Sequence, residues 1–440
     1  MPSHDTNFIF PFSYSNLRVH LGTSKQAEVL FSYLENLHAK SCVLESEYID
    51  KDYIIDYQKF YSRSFDNPGQ FTKRLHFFTN RLTPKYFKKL IETCNKRTYN
   101  NLKKYYLGFV VMKPIKDAMN QPFIGRTIIK TYPPDVNGNR RVFVTSRYNV
   151  SLFGFPLAIE SLPFQTQDEG VSKCATIALW SALQPLIDTF DIIRHSPAEI
   201  TEVSTSFPTL ARKYPSQGLA WEQMAEYIRS LGLDIEPIDA QYENEDTIQT
   251  AIMLYVNAGY PLIAALQIYK GSGEFDGRHA AVISGYRQDN NGNLKEIYVH
   301  DDQICPYCKT LPSPDFKNWY NEWSKDGKKV ELEKLMIPIY PKLRLTFVRM
   351  YTEYTEMLKR GFSNFDRPID NLKLHLTTVN EYKEFLLTKS IKEKENILFA
   401  SLPRFIWIVR GYHQNNPVED ILYDGTSVYA RMLNYHVEFT

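Results

Sequence analysis

The sequence predicts an α+β fold, and two observations support this class. Residues 173–187 form a strong helical segment. Two later apolar runs, 279–287 and 295–302, flank the turn sequence DNNGN, which predicts an antiparallel hairpin. A helix in one part of the chain and an antiparallel sheet in another is the pattern of the α+β class.

The length of the chain predicts more than one domain, because 440 residues are too many for a single core. We expect an N-terminal accessory domain at 1–150, of α/β or α+β type. A central domain at 151–345 would hold the long helix and the hairpin. The remaining residues, 346–440, would form an α+β region that packs on either of the other two.

The apolar periodicity predicts the individual elements. Helices are expected at 24–38, 50–65, 70–79, 84–96, 173–187, 196–203, 221–231, 245–258 and near 314–325. Strands are expected at 41–49, 106–115, 123–131, 141–147, 260–269, 279–287 and 295–302, with late strands within 396–411. The segment 337–361 predicts a strand running into a helix. Pro114 would end its strand, and Asn137-Gly138 marks a turn.

Charge and cysteine content exclude several classes of protein. The 52 basic and 50 acidic residues leave a net charge of +2, which gives no reason to expect nucleic acid or an anionic membrane as a partner. No run of 18 apolar residues occurs, and the N-terminus lacks the features of a secretory signal. Five cysteines are sparse and odd in number, which favours a reducing, cytoplasmic environment over a disulfide framework.

Cys174 is the candidate nucleophile of the sequence. It stands at the first turn of the helix in SKCATIALWSAL, just after Ser172, a candidate N-cap. Helix N-termini present unpaired N–H groups and a positive dipole end, which stabilise a thiolate. Gln167 lies seven residues earlier and is positioned to donate to an oxyanion together with the Cys174 backbone N–H.

His279 and Asp301 are the candidate base and orienting carboxylate. His279 begins a strand after a glycine-rich loop. With the hairpin turn centred near Asn290 or Asn291, His279 falls opposite residues 301–303. Asp301 can therefore lie beside the imidazole and fix its ring.

These segments resemble the papain-like cysteine peptidases, nearest the branch of the bacteriocin leader peptidases that cut after a double glycine. LPFQTQ followed by SKCATIALWSAL is similar to the Gln and Cys segments of that branch, and HAAVISGY followed by IYVHDD to its His and Asp segments. The resemblance covers residues 155–305. It implies a papain-like domain in which Cys174 is the nucleophile, His279 the base, Asp301 the orienter and Gln167 the oxyanion donor.

The resemblance implies a peptidase that cleaves a peptide or isopeptide bond of a protein or peptide substrate through a Cys174 acyl-enzyme. Two alternatives remain open: acyl transfer or deamidation by the same residues, and an inactive scaffold that binds a partner. The sequence departs from the branch at Ala175, where Gly is usual. His300 is a rival ring, and Gln165 competes with Gln167.

Other polar motifs are interpreted as structural. Cys305 and Cys308 form CPYC without a second CxxC, so a chance pair in a loop is favoured over zinc or redox chemistry. The acidic residues at 45–56 are expected to solvate a helix start. Arg74 and His76 are expected to be packing and surface residues. No phosphate loop is present, and no cofactor or metal is expected.

Overall fold

The computed structural model describes residues 8–440 except 66, 94–95, 136–138, 169, 172, 210–217, 362–364 and 366. The turn at Asn137-Gly138, the candidate N-cap Ser172 and the cysteine Cys94 lie outside the described residues. The described strand pairs are all antiparallel, and helices pack against the sheets they form, so the protein is of the α+β class.

The N-terminal region is a five-stranded sheet with helices packed against it. The strands are β1 (Ile9–Pro11), β2 (Ser41–Tyr48), β3 (Thr72–Phe78), β4 (Tyr106–Lys116) and β5 (Pro122–Ile129). The helices are α1 (Tyr14–Leu21), α2 (Lys25–Asn36), α3 (Lys51–Lys59), α4 (Pro84–Thr93) and α5 (Lys96–Tyr105). The strands pair in sequence order, and every pair is antiparallel. Of the two classes considered for this region, the antiparallel pairing is that of α+β.

The central region is built on an eight-stranded sheet. Its strands are β6 (Arg140–Phe143), β9 (Asp234–Asp239), β10 (Leu262–Tyr269), β11 (Phe275–Gln288), β12 (Leu294–Asp301), β13 (Cys305–Pro312), β14 (Asn318–Tyr320) and β15 (Lys329–Ile339); a separate hairpin joins β7 (Ser146–Leu152) to β8 (Phe155–Ser161). Its helices are α6 (Cys174–Phe190), α7 (Pro197–Ser204), α8 (Trp221–Ser230), α9 (Glu245–Asn257) and α10 (Glu322–Lys325). Because β10 pairs with both β11 and β15, the strands β10–β15 close into a ring.

The C-terminal region adds a four-stranded antiparallel sheet. Its elements are α11 (Phe347–Lys359), β16 (Asn371–Thr378), α12 (Val379–Leu387), α13 (Lys394–Phe399), β17 (Phe405–His413), β18 (Asn416–Asp424) and β19 (Met432–Glu438). Trp407 of β17 belongs to the same buried cluster as the core of the central region. Its indole N–H donates to the Leu345 carbonyl at 3.1 Å. This region therefore packs on the central one.

The expected boundary at 345/346 falls between β15 and α11, whereas that at 150/151 falls inside β7. In addition, β6 pairs with β11 of the central sheet, with Gly285 opposite Phe143. The polypeptide thus enters the central sheet about ten residues before the boundary that composition suggested.

The helix expected at 70–79 is wrong, because Thr72–Phe78 is strand β3. This strand pairs on both sides, and Leu75, Phe77 and Phe78 are fully buried. A strand buried on both faces lacks the alternation of apolar and polar residues that identifies a strand in sequence.

Three other expectations change in detail. Strand β4 continues through Pro114 to Lys116, with its pairing to β5 irregular there because proline has no N–H to donate. The segment 314–325 contains the short β14 and α10 in place of one helix. The segment 396–411 begins in α13, and its strand starts only at Phe405. The helix predicted at 173–187 is confirmed as α6, and the predicted hairpin as β11–β12.

Candidate active site

Cys174 is the first residue of α6. The backbone of the preceding Lys173 is extended, with φ −113° and ψ 172°, and the Lys173 side chain makes no capping hydrogen bond to the helix. The body of the helix is buried from Ala175 to Leu186 and packs on β10 and β11, whereas Cys174 itself is only partly buried. The thiol therefore sits at the partly accessible N-terminal end of an otherwise buried helix.

His279 and Asp301 meet through the β11–β12 hairpin. His279 Nε2 lies 2.9 Å from Asp301 Oδ1, and both side chains are buried. The regular ladder runs up to the pair Val282–His300. A straight continuation places His279 opposite Gln303, within the window of 301–303 expected from the turn sequence. Asp301 reaches the ring diagonally from the end of β12.

Two further N–H groups hold Asp301 in place. Its Oδ1 also accepts from the Gln303 backbone N–H at 3.0 Å, and its Oδ2 accepts from the indole N–H of Trp323 at 2.9 Å. The Trp323 ring also lies edge-on to the imidazole, with centroids 5.7 Å apart. Both carboxylate oxygens are thus occupied, which fixes the orientation of the imidazole they hold. Sequence reasoning missed Trp323, because no local pattern links residue 323 to residue 301.

The site carries a buried ion pair. Burial disfavours an imidazolium, but Asp301 and the neighbouring Cys174 outweigh it and raise the pKa of His279 well above its ordinary value. Burial likewise opposes the Asp301 carboxylate, yet His279, Trp323 and the Gln303 N–H together lower its pKa. The arrangement therefore favours a charged His279 beside a charged Asp301.

Cys174 neighbours His279, and this contact adds to the raised pKa of the imidazole. Because Nε2 is engaged by Asp301, we assign this contact to Nδ1. The amide nitrogen of Gln303 lies 3.4 Å from the same Nδ1. Gln303 was not singled out in sequence, although it falls within the register window that located Asp301. A thiol, an imidazole and a carboxylate thus lie together, with the imidazole next to both of the other groups.

Asp302 is a second buried carboxylate beside His279, with Oδ1 3.7 Å from Nε2. Burial raises its pKa to about 7, with Asp301 adding to the shift, while His279 and the nearby backbone N–H of Gln167 oppose it. His279, Asp301 and Asp302 offer potential metal-ligand atoms within 4.8 Å of one another. Since both Asp301 oxygens accept from N–H donors and His279 Nε2 is bound to one of them, a cation at these atoms would compete with the hydrogen bond between His279 and Asp301.

The segment before Cys174 is fastened to the N-terminal sheet. Phe164 pairs with Thr127 of β5, and Thr166 donates to the Ile124 carbonyl at 2.9 Å. Lys113 of β4 donates to Asp168 at 2.9 Å, with both side chains buried. These contacts make the N-terminal sheet a support for the nucleophile segment.

The two candidate oxyanion donors differ in exposure. Gln165 is 2 % exposed, and its Nε2 has no hydrogen-bond partner among the described residues. Gln167 is only partly buried, and its backbone N–H lies beside the Asp302 carboxylate. Gln167 thus lies next to the site and retains access to solvent.

The rival ring His300 is directed away from the thiol. It lies 3.5 Å from the Ser181 hydroxyl and packs edge-on against Phe164 and Tyr307. Burial lowers the pKa of His300 to about 3. Successive residues of a strand face opposite sides of the sheet, so His300 and Asp301 separate in this way.

The CPYC pair lies in β13, the strand that pairs with the β12 strand of Asp301. Cys305 and Cys308 are both buried and form no disulfide, and Cys305 is the register partner of Asp301. Burial raises the pKa of the Cys305 thiol, and the contact with Cys308 adds to this effect. These thiols belong to a small apolar cluster with Ile304, against which Trp323 packs.

The acidic cluster at 45–56 is not a solvated helix start, so that expectation is wrong. Asp50 does cap α3, but Asp50 and Asp52 are both buried. Arg126 lies 2.7 Å from Asp52, which also accepts from the indole N–H of Trp180 in α6 at 3.0 Å. The acidic residues thus join the N-terminal region to the helix that carries Cys174.

Comparisons with known proteins give no family for this chain. No protein-family model matches it, and no curated protein is significantly similar to it. Within the described residues, none of the helices is long and apolar enough to cross a membrane.

Proposed function

We propose that the protein is a papain-like cysteine peptidase that cleaves a peptide or isopeptide bond of a protein substrate. The observation that carries this proposal is the position of the buried His279 ring, whose Nε2 lies 2.9 Å from Asp301 and which has Cys174 as a neighbour that helps to raise its pKa. A thiol, an imidazole and an orienting carboxylate in this order are what thiol acyl transfer requires.

In the proposed reaction, the Cys174 thiolate attacks the substrate carbonyl. The Cys174 backbone N–H and the Gln167 side chain donate to the oxyanion. His279 gives its Nδ1 proton to the leaving amine, and a thioester remains on Cys174. Neutral His279 then takes a proton from water, which attacks the thioester and releases the acid. Asp301 stays ionised and holds the ring, while Trp323 and Gln303 hold Asp301.

The same residues would catalyse acyl transfer or Gln deamidation if an amine replaced water as the acceptor or if the donor were a side-chain amide. The product separates these reactions, because cleavage of a peptide bond creates a new N-terminus and cleavage of an isopeptide bond frees a lysine side-chain amine. The contact between His279 and Cys174 favours an enzyme over an inactive binding scaffold. We propose a cytoplasmic location, no cofactor and a protein or peptide substrate.

Thiol reactivity tests the proposed nucleophile without knowledge of the substrate. Alkylation by iodoacetamide, followed peptide by peptide by mass spectrometry, should modify Cys174 at least 100-fold faster than Cys42, as expected for an activated over a buried thiol (about 10²-fold or more). Cys42 is a matched internal control, because it is fully buried and burial raises the pKa of its thiol. Equal rates at the two cysteines would contradict the proposal.

Substrate cleavage tests the reaction class. New protein N-termini, or newly freed lysine ε-amines where the bond is an isopeptide, should appear in cells that express the wild type and be absent from cells that express Cys174→Ala. Cleavage that persists in Cys174→Ala would overturn the assignment. Deamidated or cross-linked glutamines without new N-termini or freed lysine amines would move the proposal to acyl transfer.

A further inference from the structure

A second cavity, of about 540 Å³, lies in the N-terminal region. It is bounded by the end of α1, by β3 and by the turn between β4 and β5. Its wall contains the basic side chains Arg18, His20, Lys73, Lys113 and Lys116 and no carboxylate. Cavities of a few hundred Å³ are of the size that holds a small ligand.

Three of these cations are available to a ligand. Arg18, Lys73 and Lys116 are exposed, and none of them forms an ion pair with a described residue. Lys116 only donates to the Asn120 amide oxygen at 2.9 Å. Lys113 is different, since it is buried and bound to Asp168. Burial and the charge of Lys73 lower the pKa of His20, so this ring adds no positive charge near neutral pH.

The excess of positive charge is confined to this cavity and is not a property of the whole chain. The whole chain is nearly balanced, with 52 basic and 50 acidic residues. A larger cavity of about 670 Å³ in the same region has Lys103, Lys130 and Arg147 on its wall, but it also contains Glu160 and is mainly apolar. Three free cations without a carboxylate repel one another, and an anion would relieve this repulsion.

We propose that this cavity binds a small phosphate-bearing ligand of the nucleoside polyphosphate class. Guanidinium and ammonium groups are the side chains that bind phosphate oxygens, and Arg does so in bidentate geometry. Phe71, on the same wall, is 48 % exposed, so an aromatic ring is accessible there for stacking on a base. A cavity of about 540 Å³ matches the size of a small molecule better than that of an extended peptide. The site is independent of Cys174 and of the proposed peptidase activity.

Isothermal titration of the full chain with ATP and with tripolyphosphate tests the site. Lys73→Met and Arg18→Met should each weaken binding of both probes by about tenfold or more, the equivalent of one charged hydrogen bond. Lys103→Met, in the larger cavity, is the matched control and should bind both probes like the wild type. Phe71→Leu should weaken ATP but leave tripolyphosphate unchanged. These positions are exposed, so the variants should fold, and their circular dichroism spectra check this.

Three results would overturn the proposal. The first is no saturation by either probe up to about 1 mM, a limit that corresponds to about −4 kcal/mol of binding free energy. The second is an equal loss of affinity in Lys103→Met and Lys73→Met. The third is competition by an octaglutamate peptide at the affinity of ATP, which would assign the cavity to acidic peptides.

Discussion

The N-terminal and central sheets each bury a histidine against a carboxylate, and the two pairs have opposite properties. His76 Nε2 lies 2.9 Å from Glu45 in the first sheet, and His279 Nε2 lies 2.9 Å from Asp301 in the second. Both rings are buried. Yet the pKa of His76 is lowered to about 4, whereas that of His279 is raised.

The partners of each carboxylate explain the difference. Glu45 is shared with Arg74, whose positive charge adds to burial in disfavouring a charged His76. Asp301 is held by uncharged N–H donors, so its negative charge remains available to His279. The second ring nitrogen differs too: His76 Nδ1 is occupied by the Tyr106 hydroxyl at 2.9 Å, while His279 Nδ1 lies 3.4 Å from the Gln303 amide nitrogen and is the atom that we assign to the contact with Cys174. The expected packing role of His76 and Arg74 fits this arrangement, although both are buried.

Removing each imidazole in turn should give the largest contrast. His279→Gln should slow alkylation of Cys174 at pH 7 by about 10²-fold, because the thiolate loses its cationic partner. His76→Gln should leave that rate unchanged and lower the free energy of unfolding by about 1–3 kcal/mol, since Tyr106 and Glu45 lose a partner. Rates from mass spectrometry and unfolding in urea provide the two readouts. A fast Cys174 in His279→Gln would contradict the proposed pair.

Neutralising the carboxylates should give a smaller contrast. Asp301→Asn should slow alkylation of Cys174 by roughly tenfold, the equivalent of one hydrogen bond to a charged group. Glu45→Gln should mainly reduce stability, because Arg74 then keeps a buried charge without a carboxylate. If Glu45→Gln slowed Cys174 as much as Asp301→Asn, the two pairs would not be functionally distinct.

Trp323 and Tyr106 are the uncharged partners of the two pairs. Their removal should affect the rate of Cys174 alkylation less than removal of the charged groups, and only Trp323 should affect it at all. Trp323→Phe removes the N–H that Asp301 Oδ2 accepts, and it should slow Cys174 alkylation by about fivefold, equivalent to about 1 kcal/mol. Tyr106→Phe removes the hydroxyl at His76 and should leave the rate of the wild type. An unchanged rate in Trp323→Phe would show that the Gln303 N–H alone suffices to orient Asp301.

The stability contributed by His76 and that contributed by His279 should change in opposite directions with pH. His76 is held below its ordinary pKa of 6.5, so its contribution is present above that pH and is lost as pH falls towards about 4. His279 is held above 6.5, so its contribution is present below 6.5 and is lost as pH rises through its higher pKa. The urea midpoint of unfolding should be measured from pH 4 to 9. It should fall less at acid pH in His76→Gln than in the wild type, and less at alkaline pH in His279→Gln. The reverse pattern would refute the assigned charge states.

Local sequence patterns were sufficient for the parts of the site that lie on regular elements. The turn sequence DNNGN fixed the register of the hairpin well enough to place Asp301 and Gln303 near His279. The apolar run after Cys174 located α6 to within a residue at its start. The same reasoning took β3 for a helix, because burial on both faces hides the period of a strand.

The parts of the candidate site that the sequence did not predict depend on long-range contacts. Trp323 reaches Asp301 from the short α10, where sequence predicted only part of a longer helix. The acidic residues of α3, read as solvated, are buried against Arg126 and Trp180. Each of these contacts joins segments far apart in the chain, and no local periodicity encodes them.

By itself, the sequence determined the α+β class, the helix that begins at Cys174 and the hairpin that brings His279 towards Asp301, because these depend on apolar periodicity and turn chemistry over short distances. Only the tertiary structure decided that His279 is the buried histidine next to a thiol and that both ring nitrogens of His76 are hydrogen-bonded, one to Glu45 and one to Tyr106. Charge state and access depend on burial and on neighbours from other strands, so His76 and His279 could not be ranked until both sheets were formed.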